Sequence, residues 1–570
     1  MKGKYRIYFG IIISLVLIFN NSSSVYASGE EVVNEHISIS FKGNILEASD
    51  AEPYINETNV LVLPVRKMGE ALGFDVTWLE SKEIRLQKNN ESILLQVDSN
   101  AYYNEIDMTA MECQFEIKGD RSYAPSSFFE KVMNISIDYH ENQGFVIIEK
   151  TNDESRNLRI DRNNIDEGDT ELWGNTIEDY LKDDLWTELY AYDAGSHLII
   201  PMHAAFAYNQ EQWKNQFSDH YDRFVKEYTY NEQNIVQGAL NRLQYLYLAS
   251  EFIVLCEEND SEYLIPDGLF DIINEEIRDM WDKELAWQWD RDPFEGGIKE
   301  RIRWKLDNQD MKRSYYRAII DEDFFVLAIG ANLFSYENYV GNSYIKTNDY
   351  KKEIVDYAYE VFYKESTTTE EGKWLFQPGV WTDHGDYSYA GNDKKSADIT
   401  PMPVEGIAWD SSHSHRFPLW INSFIGAFES AGDIDKMNYF IDTRSKLEKQ
   451  FYENVLVKPD AEFDGYRTTN FMDGKNGVYR WNYPTQGQGN GYGPYELSGT
   501  FILGWWSLLK SERIGEAYYE TAQRFPLDEN VIDMYVGPNT TRERHRVVKL
   551  PDSCYNGMNE LICRLASKIK

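Results

Sequence analysis

The sequence "LPVRKMGEALGFDVTWL" at residues 63–79 returns in altered form 61 residues later, as "APSSFFEKVMNISIDYH" at residues 124–140. Pro64 and Pro125 stand at the same point of the two copies. A helix can begin at such a proline, because the first helical residues need no backbone N–H donor. The repeat therefore predicts a duplicated unit in which a helix is followed by a strand.

The two copies also agree at the residues where the predicted helix ends and in the strand that follows it. Gly73 matches Asn134, and these residue types most readily take the left-handed conformation that ends a helix. Val76 and Ile137 occupy the same place in the next strand. Further alternating stretches read as strands, namely "HISISFKG", "EIRLQ", "SILLQV" and "FVIIEK". We expect residues 36–150 to form a small α+β domain.

This segment, and "NVLVLPVRKMGEALGFDVTWL" in particular, resembles the copper amine oxidase N-terminal-like domain, a stalk module of exported bacterial proteins. The resemblance covers residues 36–150 and implies a spacer or attachment module rather than a catalyst. Amine oxidation itself is not expected. The family's quinone forms in a Thr-x-x-Asn-Tyr-Asp/Glu motif, whereas here Tyr339 is followed by Val340 and Tyr483 by Pro484.

The start of the chain is typical of an export signal. Basic residues precede the apolar run "YFGIIISLVLIF", which is too short for a membrane span, and small residues lead to Ala27. Removing residues 1–27 takes away three positive charges and no acid, so the net charge changes from −38 to −41. So acidic a chain is a poor partner for nucleic acid or anionic lipid. We expect an extracellular or cell-surface protein with no transmembrane segment in the mature chain.

The segment between the two domains leads to one further prediction, and the cysteines lead to another. Residues 151–175 are polar and lack apolar periodicity, which predicts a linker. Cysteines are sparse for an exported protein. Cys554 and Cys563 are close enough in sequence to pair, whereas Cys113 and Cys256 are not expected to be partners.

From residue 176 to residue 570 the dominant period is helical. "IVQGALNRLQYLYLASEFIVLCEE" at residues 235–258 places Leu240, Leu243 and Tyr247 on one apolar face. Similar runs recur at 211–229, 267–288, 298–337, 350–364, 417–431, 435–455, 496–524 and 557–569. Short loops alternate with long loops rich in glycine and aromatic residues. This asymmetry predicts one large all-α domain, an α/α toroid whose open face carries the long loops; an open helical solenoid is the alternative.

Three segments of this region together resemble the α/α-toroid proteins of bacterial glycan metabolism: "YDAGSHLIIPMHAAF" (192–206), "WDSSHSHRFPLWINSF" (409–424) and "GPYELSGTFILGWW" (493–506). Polysaccharide lyases, uronyl epimerases and helical-barrel glycosidases belong to this group. The resemblance implies a toroid fold and a carbohydrate substrate.

Aromatic residues in polar loops agree with that substrate class, since sugar rings stack on aromatic planes. The candidates lie beside glycine, aspartate and asparagine: Trp381, Tyr387, Tyr389, Trp481, Tyr483 and Tyr492. The alternative is that they fill the core of a large helical domain.

Acid–base chemistry is predicted around "WDSSHSHRFPLW", residues 409–420. Pro418 indicates that a helix begins near Phe417, so His413 and His415 precede it. Positive charge is disfavoured at a helix N-terminus, which favours neutral imidazoles able to act as a base. We prefer this role to metal binding and expect neither a metal nor another cofactor; the alternative is a histidine that only bonds a backbone carbonyl.

Carboxylates and arginines supply the remaining candidates. Asp383, Asp386, Asp410 and Glu496 offer pairs for acid–base work, although loop acids also cap helices and turns.

Residues 464–484 are predicted to form an inserted β-hairpin that turns at Asp473-Gly474 and brings Arg467 towards Arg480. Together with Arg416 and the basic run at 540–549, these arginines predict recognition of an anionic group. The alternative is that they pair with surface acids.

The sequence predicts a secreted polysaccharide lyase that acts on a uronate-containing glycan. His413 or His415 would be the base, Tyr483 or Tyr492 the acid, and Arg416 or Arg480 would neutralise the carboxylate. Glycoside hydrolysis by paired carboxylates and non-catalytic glycan binding at the cell wall remain alternatives.

Overall fold

The computed structural model describes residues 37–41, 44–46, 51–72, 74–79, 82–88, 91–97, 99–104, 108–133, 135–140, 145–150, 160–231, 234–340, 350–484, 487–538 and 544–569. The predicted signal peptide, residues 1–27, lies outside this part of the chain. Within it, every helix is too short or too polar to cross a membrane. The chain divides into a small β-rich N-terminal region and a large helical region.

The N-terminal region is built of short strands around two helices. Its strands are β1 Ser38–Phe41, β2 Asn44–Leu46, β3 Tyr54–Ile55, β4 Leu61–Pro64, β5 Asp75–Leu79, β6 Glu83–Lys88, β7 Glu91–Gln96, β8 Ala101–Asn104, β9 Met108–Ala110, β10 Glu116–Lys118, β11 Arg121–Pro125, β12 Ile135–His140 and β13 Phe145–Lys150. Its helices are α1 Val65–Ala71 and α2 Ser126–Met133. The strands form three sheets, in the orders β12-β13-β1-β2, β10-β11-β4-β3 and β5-β6-β7-β8-β9.

The duplicated unit predicted from the sequence is confirmed, and its two copies pair with each other. β4 and β11 are antiparallel, and Leu63 lies opposite Ala124, its equivalent in the other copy. Helix α1 follows Pro64 and α2 follows Pro125. Leu63 and Ala124 are fully buried in a core shared by both copies. Gly73 and Asn134, the predicted left-handed residues, lie outside the described residues.

The helical region starts before the predicted boundary and runs to the end of the described chain. Its helices are α3 Glu167–Asn175, α4 Ile177–Tyr180, α5 Ala191–His197, α6 Ile199–Ala207, α7 Glu211–Tyr230, α8 Ala239–Glu258, α9 Leu269–Asp282, α10 Gly297–Asp307, α11 Asp321–Tyr339, α12 Tyr350–Glu365, α13 Ser411–Ser414, α14 Phe417–Ser430, α15 Ile434–Gln450, α16 Glu512–Ala522, α17 Glu529–Val536, α18 Asp552–Tyr555 and α19 Met558–Ala566. Two short strand pairs join them, β14 Ser366–Thr368 with β15 Trp374–Phe376 and β16 Leu456–Val457 with β17 Arg467–Thr468.

Two long helices form the centre of this region. Residues 243–256 of α8 and residues 324–335 of α11 are all buried. A helix that is covered on every side must be surrounded by other elements. α8 and α11 pack on each other, α8 also packs on α5, and α11 also packs on α14. The sequence predicted a single apolar face for residues 235–258, so this burial on all sides is a correction.

The predicted linker, residues 151–175, is wrong in its second half. Helix α3 begins with a capping box formed by Asp166 and Asp169. Both aspartates reach the last helix, because Arg564 contacts each of them at 2.6 Å and Lys568 lies 2.8 Å from Asp169. The polar character of this part of the segment reflects the pairing of its aspartates with Arg564 and Lys568. Residues 151–159 lie outside the described residues.

The predicted hairpin at residues 464–484 is correct only at its turn. Phe471 and Lys475 close a turn in which Gly474 takes a positive φ of 85°. The two arms do not pair with each other. β17 pairs with β16, and Tyr479 pairs with Tyr492.

All four cysteines, Cys113, Cys256, Cys554 and Cys563, are buried free thiols. The pair that is close in sequence, Cys554 and Cys563, is therefore not bonded.

Candidate functional site

A cavity of about 410 Å³ opens in the helical region where α5, the start of α14 and the chain around residues 479–503 meet. Both predicted histidines line it. Its polar lining comprises Tyr192, Asp193, Ser196, His197, Thr500 and Asn559, together with Ser412, His413, His415, Arg416, Tyr479, Arg480, Tyr483, Tyr492, Glu496, Tyr535 and Arg544. We call it the histidine cavity.

His413 is oriented by Asp410. Asp410 caps the short helix α13 by accepting the backbone N–H of His413, and both carboxylate oxygens lie 2.8 Å from Nδ1 of the same residue. Tyr387 and Ser412 also donate to this carboxylate, at 2.7 and 2.5 Å. With Nδ1 bound to the carboxylate, Nε2 of His413 is the nitrogen available to a ligand.

The Asp410 carboxylate stays ionised although it is only 1% exposed. Burial alone would raise its pKa, but the interactions with His413 and Ser412 outweigh burial and hold the pKa far below its usual range. The pair therefore joins a buried, fixed anion to an imidazole that lines the cavity, and this arrangement orients a general base.

His415 lies deeper than His413. Its ring packs against Trp505 with the ring centres 4.7 Å apart, and the side chain is buried. Burial lowers the pKa of His415 well below its usual value, and the charge of Arg416 lowers it further. The sequence placed both histidines in a loop before the helix at Phe417. The helix does begin at Phe417, but His413 lies in the helical turn α13.

Arg416 enters the cavity from the N-terminus of α14. Its guanidinium donates to Asp321 at 2.7 Å and to the hydroxyl of Tyr192 at 2.6 Å. Asp321 lies at the start of α11, so one buried ion pair joins α14 to α11 and fixes the arginine at the wall of the cavity.

Arg480 lines the cavity from a different segment, the one in which Tyr479 pairs with Tyr492. Its Nε donates to Asp386 at 2.8 Å, and its guanidinium lies 4.6 Å from the centre of the Tyr483 ring. The backbone of Arg480 has a positive φ of 52°. A non-glycine residue held in this conformation is strained, and such strain is concentrated at functional sites.

The predicted carboxylates are not gathered in the cavity. Asp383 accepts from Ser314 at 2.5 Å, Asp386 holds Arg480, and Asp410 lies behind His413. Of the four candidates only Glu496 lines the cavity, and its carboxylate accepts from Lys395 at 2.7 Å.

Three of the six predicted sugar-stacking rings lie inside the protein. Trp381 stacks on Tyr387 with the ring centres 5.7 Å apart, and Trp381, Tyr387 and Trp481 are each less than a tenth exposed. Tyr389 lies beside Trp481 at 6.5 Å. Tyr387 in turn packs against Tyr479, which lines the cavity, with the ring centres 5.2 Å apart. Of the predicted aromatic residues, Tyr483 and Tyr492 line the cavity.

Arg467 is also removed from the site. It pairs with Asp460 at 2.5 Å and lies between the rings of Phe463 and Tyr495. The prediction that Arg467 approaches Arg480 depended on the hairpin whose arms do not pair.

Several lining residues were not assigned from the sequence, among them Tyr192, Tyr479 and Arg544. Tyr192 and Arg544 do lie in stretches that stood out, the first toroid-like segment and the basic run at 540–549. Tyr479 carried no signal. In the described residues no group of three or more His, Cys, Asp or Glu side chains is arranged to hold a metal ion.

Comparison with known proteins identifies the N-terminal region alone. The family model of the copper amine oxidase N-terminal domain matches residues 40–148. Neither a curated protein nor a solved structure matches the chain. Residues 40–148 are therefore a copper amine oxidase N-terminal domain, joined to a helical region that these comparisons leave without a family.

Proposed function

We propose that the helical region is an α/α toroid that acts as a lyase on a uronate-containing polysaccharide. The packing order supports the toroid. Helices α5, α8, α11 and α14 contact one another in succession, while α9, α12 and α15 each pack against a member of this inner set. Alternation of inner and outer helices is the pattern of a ring of helix hairpins, and the histidine cavity lies at one end of the inner helices.

The observation that carries the lyase proposal is the Asp410–His413 pair in a cavity that also contains arginines and tyrosines. In β-elimination, a base removes the proton on C5 of a uronate, the C4–O bond breaks, and a C4–C5 double bond forms. His413 would take the C5 proton through Nε2. A tyrosine hydroxyl of the cavity, from Tyr483 or Tyr492, would return a proton to the departing oxygen.

The carboxylate of the substrate must be neutralised for the C5 proton to become acidic. Arg416, Arg480 and Arg544 line the cavity, and the aspartates that hold Arg416 and Arg480 do not. The lining thus presents guanidinium groups while their counter-charges lie behind them. This arrangement favours an anionic sugar over a neutral one.

Glycoside hydrolysis is less well supported by the same geometry. It requires two carboxyl groups that flank the scissile bond. Of the four predicted carboxylates only Glu496 lines the cavity, where Lys395 donates to it, and the other carboxylate of the lining is Asp193. We also propose that the protein is exported and that its N-terminal domain is a spacer or attachment module at the cell surface.

The test is an assay of the purified full-length chain on a panel of acidic and neutral glycans. A lyase produces new ultraviolet absorbance from the unsaturated uronate. We expect such absorbance on a uronate polymer, and we expect the His413→Gln variant to lose at least about 100-fold in turnover, the low end for a missing general base.

The matched control is His203→Gln, on α6, where His203 lies 3.2 Å from Glu251 and does not line the cavity. This variant should keep full turnover. New reducing ends without ultraviolet absorbance would identify a hydrolase instead, and binding without any product would identify a glycan-binding protein. Full activity of a folded His413→Gln variant would refute the role given to the pair.

A further inference from the structure

A second concave surface lies between α15 and α16, away from the histidine cavity. It encloses about 820 Å³ and has no lining residue in common with that cavity. Its basic residues come from separate segments: Arg444 on α15, Lys458 after β16, Lys510 before α16, and Arg513 on α16. We call it the α15–α16 groove.

The acidic residues of the groove already have partners. Glu448 accepts two hydrogen bonds from Arg513, at 2.7 and 2.6 Å. Glu512 and Glu516 lie 3.0 and 2.5 Å from Arg162. A fourth acid, Glu520, accepts from the hydroxyl of Tyr466 at 2.9 Å. Glu448, Glu512 and Glu516 are thus engaged by Arg513 and Arg162, whereas Glu520 also interacts with Lys458.

Arg444 and Lys510 are the cations of the groove without an acidic partner: among the described residues, neither forms an ion pair with a carboxylate. This is unusual in a chain that has 95 acidic and 57 basic residues. Arg444 is the more informative of the two, because it is half-buried and donates to a neutral group, Oδ1 of Asn422, at 2.8 Å. Lys458 is bound by the hydroxyl of Tyr452, and Glu520 also raises the pKa of this lysine.

Burial without a counter-charge is unfavourable for a guanidinium. The pKa of Arg444 is lowered by burial, and no neighbouring charge offsets this. An anion that entered the groove would remove the cost, and its charge would be shared by lysines on both sides. The volume is larger than a single inorganic anion fills and lies in the range of sites for organic ligands.

We propose that the α15–α16 groove is a second, non-catalytic binding site for a carboxylated stretch of glycan. The identity of the glycan rests on the proposed function, whereas the anionic character of the ligand rests on the groove alone. A polymer held there would stay close to the enzyme between turnovers, because two linked sites raise the effective concentration at each.

The test uses the full chain with the His413→Gln change, so that the ligand is not degraded. Calorimetric titration with a long uronate oligosaccharide compares this protein with one that also carries Arg444→Gln and Lys510→Gln. We expect the two added changes to weaken binding at least about 10-fold, which corresponds to about 1.4 kcal/mol. The difference should shrink at high salt, since exposed charges are screened.

Lys446→Gln is the matched control. It removes one positive charge from the same helix, but Lys446 pairs with Asp442 at 2.6 Å and does not line the groove. It should leave binding unchanged. Equal uronate affinity with and without the Arg444 and Lys510 changes overturns the proposal. So does an equal loss of affinity for a neutral glycan or for inorganic phosphate.

The outcome is independent of the lyase proposal. If the unaltered protein forms no unsaturated product but the groove variant still loses uronate binding, the lyase proposal fails and the groove proposal stands. If product forms and the groove variant binds normally, only the groove proposal fails.

Discussion

Side chains that line the histidine cavity are held by acidic partners that lie outside it. Asp410 orients His413, and Asp321 fixes Arg416. Neither aspartate lines the cavity. Partners in this position set the rotamer and the protonation state of the lining residue before a ligand binds. The cost of arranging the site is therefore met during folding rather than during the reaction.

A buried histidine elsewhere in the helical region should make its stability depend on pH. Burial lowers the pKa of His220 from 6.5 to about 3. Below about pH 6.5 the unfolded chain binds a proton at this residue and the folded chain does not, so stability falls as the pH falls towards 3. We expect His220→Gln to remove about 1.4 kcal/mol of this dependence per pH unit. Urea unfolding at several pH values between 7 and 4 measures the slope.

Tyr245→Phe is the control for this prediction. It removes the hydroxyl 2.9 Å from Nε2 of His220 but leaves the imidazole in place. The protein should lose stability at every pH and keep the slope. A His220→Gln variant whose slope equals that of the unaltered protein would show that the residue is protonated in the folded state.

Local pairs around the site could be predicted from the sequence, whereas distant pairs could not. Asp410 and His413 are three residues apart, and a helical turn brings such residues together. Arg416 and Asp321 are 95 residues apart. No local pattern indicates which of the 95 acidic residues of the chain an arginine will meet. The sequence therefore named both histidines, Arg416 and Arg480, but it did not name Asp321. It named Asp386 as an acid–base candidate rather than as the partner of Arg480.

At the scale of elements, the position of α5 depends on its close approach to α8. Gly195 faces the backbone of α8, and a Cβ built on it would lie 2.5 Å from the carbonyl oxygen of Gln244. Since α5 carries Tyr192 and His197 into the histidine cavity, the absence of a side chain at Gly195 sets one wall of the site.

We expect Gly195→Ala to force α5 and α8 apart. Overpacking of this kind costs about 1–3 kcal/mol, and the lining residues of α5 should move with the helix. Thermal unfolding and, if the lyase proposal holds, turnover on a uronate polymer should both decline.

Gly426→Ala on α14 is the matched control, because the nearest atom to its built Cβ is Oγ of Ser335 at 3.7 Å. Alanine there should be neutral or stabilise the helix by up to about 1 kcal/mol. Equal melting temperatures for the two variants would contradict the close-packing argument.

The ends of several helices could not be predicted from the sequence, and the reason is physical. Residues 298–337 read as one helical run but form two helices, α10 and α11, with residues 308–320 between them. Residues 496–524 likewise include 3₁₀ turns at Ser498–Leu503 and Trp505–Leu509 before α16. Apolar residues continue through residues 498–509 because these turns are largely buried, and the first connection returns to the interior at Ala318 and Ile319 after the largely exposed stretch at 308–313. Periodicity reports burial, and burial does not end where a helix ends.

For the whole molecule, the sequence indicated the order of the two regions but misplaced the point where the second begins. The repeat at residues 63–79 and 124–140 located the N-terminal domain because both copies carry the same turn and helix signals. Ile160 already packs in the core of the helical region. A polar segment that pairs with charges near the other end of the chain has the composition of a linker, so residues 160–175 could not be distinguished from one.

This misplaced boundary leads to a prediction about truncation. A fragment of residues 160–570 keeps α3, whereas a fragment of residues 176–570 removes Asp166 and Asp169 and leaves Arg564 and Lys568 buried without those partners. Removing one partner of a buried ion pair costs about 3–5 kcal/mol. We therefore expect the shorter fragment to melt at a clearly lower temperature than the longer one, or to be recovered unfolded. Calorimetry of both fragments measures the difference.

Single substitutions in the full chain separate the charge effect from the loss of a helix. Asp169→Asn keeps α3 and the shape of the side chain but removes the charge that Arg564 and Lys568 share at 2.6 and 2.8 Å. It should lower the stability of the helical region by about 3–5 kcal/mol. Glu167→Gln, in the same first turn but exposed, should change stability by less than about 0.5 kcal/mol. If Asp169→Asn is as stable as Glu167→Gln, the ion pairs do not hold the two ends of the region together, and the stability of the longer fragment must come from the apolar contacts of α3.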